Sequence, residues 1–545
     1  MRRIRARGAI GIGLALVLVV GAVGGWMFFR SDSDGQDPIV VGTTSTPSML
    51  DPGGAFDAGA SMLTSNLYQS LLTYAPGEEQ PVPDAAEECV FTDNHLTVYR
   101  CELRGGLTFS NGREITPEDV KFSFDRILAM TERAAQEDAD DSIPEDEKFT
   151  YAGPSSLLAT LDAVRVDGRD VIFELSKPDA TFPFVVASSA GAIVDRENYE
   201  ELEPRADNEV DGSGPYLLTG FEADQYAELE PNPDYDGAAE VPEHSIRVEY
   251  FTETEDASAE ELLADAWESG EIDVNDGKMP PEVMADLSAS DPEYRFTEST
   301  GTSIRTLGFN TRGGAPMADE QLRQAAAALL DREAITRRVQ HDTVEALYSL
   351  IPVGFTGHGT PYYDRYMDTE ADGLRADLEA AGHELPVPFD LAYSRGAANH
   401  AEAELIERQL EADGIFDVEI TYYPWAEFLP AIYGQHPFDA YLIGWRADYP
   451  DPSTFTDQLV GQADGLNTGF SSDSVNRLIE ATQAEPDRGR AAEDFRTIHE
   501  QASEAASLIP IWQDKRITIS TTEISGIQNL SSNSGVWRLW ELRRI

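Results

Sequence analysis

The sequence predicts an α/β fold shared between more than one hydrophobic core. Two observations carry this. At 545 residues the chain is longer than one core can serve, so roughly two to four domains are expected, and a hydrophobic content of 41% is ample to fill them. Between residues 380 and 515, apolar strand-like runs alternate with amphipathic helical stretches, the pattern of a mostly parallel sheet with crossover helices.

In chain order, Ile39-Val-Val-Gly42 reads as a first strand, and 60–72 as a helix with apolar residues at 62, 63, 67, 71 and 72. Thr116-Pro117 opens a helix well, with threonine as cap, proline in the first turn and acids near the positive end of the dipole. Val120, Phe124, Ile127 and Leu128 form its apolar stripe. Residues 132–147 are acidic and polar and read as a flexible insertion. Residues 164–175, around Asp167-Gly168, read as a hairpin. A strand at 246–251, a helix at 258–269 stopped by Gly270 and a short strand at 272–274 come next. Then come one long helix over 319–340 and a β-α-β unit made of 389–393, 399–413 and 418–423. Helices at 472–484 and 488–505 lead to a strand at 509–512.

Charge narrows the partners. The formal net charge is −59, and only five of the 40 basic residues are lysine. A surface this acidic repels nucleic acid and anionic lipid, so neither is an expected partner. The acids are spread along the whole chain, which fits solubility in high salt better than a local field for cationic ligands. Arg2, Arg3, Arg5 and Arg7 precede the uncharged run 9–29, whose 21 residues span about 30 Å as a helix. Residues 1–30 are therefore expected to be a signal peptide cut near Ala22-Val-Gly24 or an uncleaved membrane anchor, and 31–37 a polar tether.

Cys89 and Cys101 flank β-rich residues on both sides of Asp93-Asn94-His95. A hairpin there sets the two thiols opposite each other and Phe91 opposite Tyr99. An exported chain with an even count favours a bridge, worth roughly 3 kcal/mol for so short a loop, over two reduced buried thiols. Two cysteines with only His95 nearby do not make a zinc site. No H-E-x-x-H pair, Gly-x-Ser-x-Gly elbow or phosphate-binding glycine loop occurs, so no catalytic residue, metal or cofactor is assigned.

One stretch carries more. The buried-strand run Ala440-Tyr-Leu-Ile443 continues as Gly444-Trp-Arg-Ala-Asp-Tyr-Pro-Asp-Pro452, where the prolines end the strand. A strand end bearing Trp445 and Asp448 offers an apolar plate and a fixed negative charge, suited to a cationic, partly apolar ligand. Read alone, it is more readily a strand end whose tryptophan packs inward and whose aspartate begins a turn.

Residues 438–452 resemble the C-terminal signature of the family 5 extracytoplasmic solute-binding proteins, the peptide-, dipeptide- and nickel-type receptors of ABC importers. Cys101-Glu-Leu-Arg-Gly-Gly-Leu-Thr-Phe-Ser-Asn-Gly112 with Thr116-Pro-Glu-Asp-Val120 is similar to the family's most diagnostic segment. Gly212-Ser-Gly-Pro-Tyr216 with Asn232-Pro-Asp-Tyr235, and Gly308-Phe-Asn310 with Arg323-Gln-Ala325 and Asp331-Arg-Glu333, come next in family order. The resemblance spans roughly 38–545. It implies a two-lobed periplasmic-binding-protein-like fold (type II, cluster C), with an extra small domain and hinge strands near 209–215 and 300–310. The divisions expected are lobe I at 38–75, 209–303 and 513–545, the small domain at 76–208 and lobe II at 304–512.

Family likeness places the amine-binding acid at Asp448, with Gly444 and Trp445 beside it. Trp425 matches a second family tryptophan that lines the pocket, and is as readily core packing at a strand-to-helix turn. Ser45 and Thr46, after the first strand, are expected to face the cleft from the other lobe. Arg446 either points away, pairs with Asp448 or Asp451, or receives a ligand carboxylate. The implied protein is not an enzyme. It is a monomeric extracytoplasmic receptor tethered to a Gram-positive-type membrane, which captures peptides by closure and delivers them to an ABC permease and ATPase. The alternatives are a secreted hydrolase on the same scaffold and a receptor for a nickel complex or sugar.

Overall fold

The computed structural model describes residues 37–77, 80–140, 142–144, 147–240, 243–434, 437–530 and 536–545. The signal peptide or anchor expected over 1–30 lies outside the described residues. No helix among the described residues is long and apolar enough to cross a membrane.

The architecture is mixed α/β and two-lobed, organised on a single large sheet. Its strands run in the order Phe416–Tyr423, Val387–Ser394, Ala440–Arg446, Tyr294–Phe309, Leu508–Thr521, Val274–Asn275, Ile39–Thr43, Ile246–Tyr250, Tyr226–Pro231 and Tyr216–Glu222. The β-α-β unit is parallel, Val387 pairing with Phe416 through to Ser394 with Tyr423, and helix Asn399–Glu411 crosses over between them. Helix Ala259–Ser269 starts from a Ser258–Glu261 capping box and stops at Gly270, whose φ of 75° is left-handed.

Two antiparallel strands pass from one lobe to the other. Tyr294–Phe309 and Leu508–Thr521 pair over most of their length, with a register break between Thr300 and Ile304. On one side of the break, Phe296, Ile517 and Ile519 pack in a core with helix 259–269. On the other, Leu307, Phe309, Ile509 and Ile511 pack beneath the β-α-β unit. At the break the Asp514 carboxylate accepts the Ser303 N–H at 2.9 Å, and Gln513 Nε2 donates to the Gly301 carbonyl at 2.9 Å. A Cβ on Gly301 would lie 1.9 Å from Asp514 Oδ1, so only glycine fits there. The second crossing strand is thus 508–521. The segment 209–215, expected as a hinge strand, is a loop in which Gly212 and Gly214 press against the carbonyls of Leu67 and Asn66.

A separate four-stranded antiparallel sheet holds the cysteine hairpin, Ala86–Phe91 with Val98–Leu103, and the hairpin Leu161–Asp167 with Asp170–Leu175. Cys89 and Cys101 are directly opposed and bonded, and the Phe91 and Tyr99 rings lie 4.7 Å apart. Helix Pro117–Asp138 covers this sheet. Its acidic end is expected from sequence to be flexible insertion, but the helix runs to Asp138 because Arg133 ties it down. The guanidinium pairs with Glu137 one turn on, donates to the Leu202 carbonyl and meets Glu203. The long helix expected over 319–340 is two helices, Glu320–Leu329 and Arg332–Arg338. Asp331 divides them by capping the second through its contact with the Ala334 N–H at 2.9 Å.

Candidate functional site

A cavity of about 590 Å³ opens where the strand Ala440–Arg446 runs out. That volume lies in the ordinary range for small-ligand sites, about 300–1,000 Å³. Most of the wall comes from helix Ala58–Leu67, residues 72–76, Ser188 and Ser189, residues 235–240 and the C-terminal Trp540. The lobe built on the β-α-β unit supplies three consecutive residues, Arg446, Ala447 and Asp448.

Its neighbours in sequence and in the sheet shape this strand end. Ala440 and Tyr441 pair on both sides, but from Leu442 to Arg446 the strand is paired only with residues 303–307. Beyond it, Tyr449 is buried and stacks on Phe184 at 5.7 Å with ring planes 10° apart. Asp451 is buried and receives Arg488 Nε at 2.6 Å and Nη2 at 2.7 Å. That pair anchors the turn, and it settles one alternative: Asp451 is not a partner for Arg446.

Asp448 and Arg446 differ from the other charged groups in the wall. Asp57 caps its helix at the Ala60 N–H, 2.8 Å away. Asp84 is buried and accepts the Ala238 N–H and the Tyr235 hydroxyl, and burial pushes its carboxyl up to about 6. Glu541 accepts Asn529 Nδ2 at 3.3 Å, and Arg543 Nη1 donates to the Leu542 carbonyl at 3.0 Å. Exposed Glu240 lies at 4.0 Å from Arg543. Among the described residues, neither the Asp448 nor the Arg446 side chain closes an ion pair or hydrogen bond. Burial pushes the Asp448 carboxyl up to about 7, against a smaller opposing pull from Arg446. Burial, and next the neighbouring Arg516, hold the Arg446 guanidinium below its usual range. Arg516 itself is matched by Asp276, with both carboxylate oxygens at 3.1 Å.

The other expected site residues lie elsewhere. Trp445 turns into the core of its own lobe, donating Nε1 to the Thr454 carbonyl at 2.9 Å, and does not line the cavity. Gly444 is exposed on the strand opposite Arg305. Trp425 begins helix Trp425–Tyr433, is 50% exposed and is outside this cavity. Thr46 packs against Gly59, and the Ser45 N–H is taken by Thr43 Oγ1, so the wall on that side is made instead by Phe56, Asp57 and Ala58. Two wall residues have no sequence signal. Tyr74 lines the cavity with a buried hydroxyl that has no hydrogen-bond partner, and Trp540 closes it from the C-terminal return. Among the described residues no group of three or more His, Cys, Asp or Glu could hold a metal ion.

The chain is 27% identical over 447 residues to "Di/tripeptide-binding protein 2" of Pseudomonas aeruginosa, covering 78% of this chain and 79% of that protein. It is 25% identical over 486 residues to the "Dipeptide-binding protein" of Escherichia coli, covering 84% and 85%. Its fold matches a dipeptide binding protein from Pseudoalteromonas sp. SM9913, solved in complex with Met-Leu, at a TM-score of 0.77 and 20% identity, over 93% of this chain and all of that one. Residues 80–467 match the family described as bacterial extracellular solute-binding proteins, family 5 Middle; that is most of the chain, and the protein belongs to this family.

Proposed function

We propose that this protein is the extracytoplasmic receptor of an ABC importer and captures short peptides through their free amine at Asp448. The observation that carries the reading is the Asp448 carboxylate itself, unpaired in a cavity whose wall, apart from its neighbours Arg446 and Ala447, comes from the opposite lobe. Asp448 is half-buried on the cavity wall with no partner of its own, and a ligand ammonium would supply the contact that the fold leaves out. The named relatives are peptide-binding proteins, which supports the same ligand class.

Loading is coupled to shape. A ligand held by Asp448 on one side and by the helix 58–67 wall on the other favours the closed arrangement of the lobes, and a permease that engages only that form takes up loaded receptor. The two strands crossing at 300–304 are the natural bending point. The N-terminal segment serves export and membrane tethering, and the mature receptor acts as a monomer beside its permease and ATPase.

The test is substitution. Asp448→Ala should weaken binding of free-amine dipeptides far more than that of their N-acetylated forms, measured by calorimetry. Equal loss for both makes the residue a structural one. Recovery of intact peptide after prolonged incubation separates a receptor from a hydrolase on the same scaffold.

A further inference from the structure

Asp448 accounts for one of the two unengaged charges in the cavity, and Arg446 is the other. A guanidinium with no carboxylate, carbonyl or hydroxyl partner is out of keeping with its surroundings. Nearby Arg516 has Asp276, Arg488 has Asp451, and Arg305 has the buried Glu402 at 2.8 Å. Asp514, which like Asp276 and Asp448 attracts Arg446 through its charge, accepts the Ser303 N–H at the strand break and makes no ion pair with the guanidinium. Arg446 lines the same cavity as Asp448 without pairing to it. The backbone points from which the two side chains start are separated by two residues, at most about 7 Å. That is also about the length of two extended ligand residues.

We propose that Arg446 reads a negative charge within two residues of the ligand's free amine, so that the receptor selects short dipolar peptides. The anionic group is either the terminal carboxylate of a dipeptide or an acidic side chain near the amino end of a longer peptide. The inference rests on the reading of Asp448 as the amine site and adds a second pole to it. A planar guanidinium suits a carboxylate because two parallel N–H groups meet two oxygens, and that charge-assisted fork discriminates against a neutral amide.

The experiment is calorimetric titration of the full receptor and of Arg446→Gln and Arg446→Lys with two matched pairs. One pair is Ala-Leu and Ala-Leu amide; the other is Ala-Glu-Ala amide and Ala-Gln-Ala amide. The wild-type protein should prefer the anionic member of at least one pair by about ten- to a hundredfold, the worth of a charge-assisted contact. Arg446→Gln should bring that preference below about threefold, while Arg446→Lys should keep most of it. Preference in the first pair names the terminal carboxylate as the group read, and in the second the side chain. Equal affinity within both pairs for the wild-type protein overturns the proposal, as does discrimination that survives in Arg446→Gln. Should Arg446→Gln not fold, the wild-type preference and its persistence in the lysine variant decide. Binding of none of the four peptides would instead overturn the amine-site reading, and this inference with it.

Discussion

Asp448→Asn separates a ligand-binding acid from a structural one, because the two roles predict stability changes of opposite sign. The folded protein holds this carboxyl at about 7, whereas an unfolded chain holds it at about 3.9. The folded state therefore binds more protons than the unfolded state between roughly pH 4 and 7. Stability contributed at this site is greatest below about pH 4, falls as pH rises through that window and is flat above it. A window of about three pH units, at about 1.36 kcal/mol each, gives a ceiling of about 4 kcal/mol lost from the unliganded protein by pH 8. Asparagine keeps the shape and removes the charge. The variant should be more stable than wild type at pH 8 by up to about 4 kcal/mol and equal to it near pH 4. Asp457, also pushed to about 7 by burial, contributes the same slope to both proteins and cancels in the difference. The assay is denaturant unfolding of ligand-free protein across pH 4 to 8. Binding should move the other way: wild-type affinity for a free-amine peptide should fall about tenfold for each pH unit well below 7, as the carboxyl protonates. A variant that is no more stable than wild type at pH 8 refutes the argument, because it means the carboxylate already has a partner.

Packing sets three further outcomes. Replacing Cys89 and Cys101 together by serine should lower stability by about 3 kcal/mol, and reductant should lower the wild-type unfolding midpoint to match. Glu402→Ala should cost about 3–5 kcal/mol, because it leaves buried Arg305 without its carboxylate, and Trp512, whose Nε1 donates to Glu402 at 2.5 Å, should change its fluorescence. Gly212→Ala should cost at least about 1–3 kcal/mol in chemical denaturation, since the new Cβ would lie 1.9 Å from the Leu67 carbonyl oxygen and the backbone has to move.

Local chemistry is legible wherever one short segment decides the structure. The Thr116–Asp119 capping box, the Ser258 start and Gly270 stop, and the opposed cysteines are each written within a few residues of the feature they make. So is the parallel β-α-β unit, whose periods change cleanly from two to 3.6. Sequence patterns fall short where a remote partner decides. Strand 508–521 looks finished at Trp512 because Gln513-Asp-Lys-Arg516 is polar. Those residues sit at the passage between lobes, where Gly301, Ser303 and Asp276 satisfy them. Helix 117–138 outlives its apolar stripe because Arg133 finds acceptors at 202 and 203. The cavity is harder still. Tyr74, Ser188 and Trp540 meet only in three dimensions, and no periodicity marks them.

The division of the wall bears on how capture becomes a signal. A ligand shifts an equilibrium between lobe arrangements only through contacts it makes in one and not the other. Here one lobe gives the ligand a broad surface, and the other gives it Arg446, Ala447 and Asp448 alone. Most of the area a ligand buries therefore holds it without telling the lobes anything. On the proposed reading of Asp448 and Arg446, the discriminating free energy is concentrated in two charges at one strand end, directly beside the crossing strand that pairs with it at Ser303. Contacts that need no ligand also join the lobes: Phe184 on Tyr449, the Ala180 N–H on the Gln483 carbonyl at 2.7 Å, and Arg395 on the Thr254 carbonyl at 3.0 Å. Those contacts set a resting bias that is the same for every solute. If the proposed site is right, selectivity comes from the groups left unsatisfied until the right solute arrives, and among the described charged groups of the cavity wall those are Asp448 and Arg446.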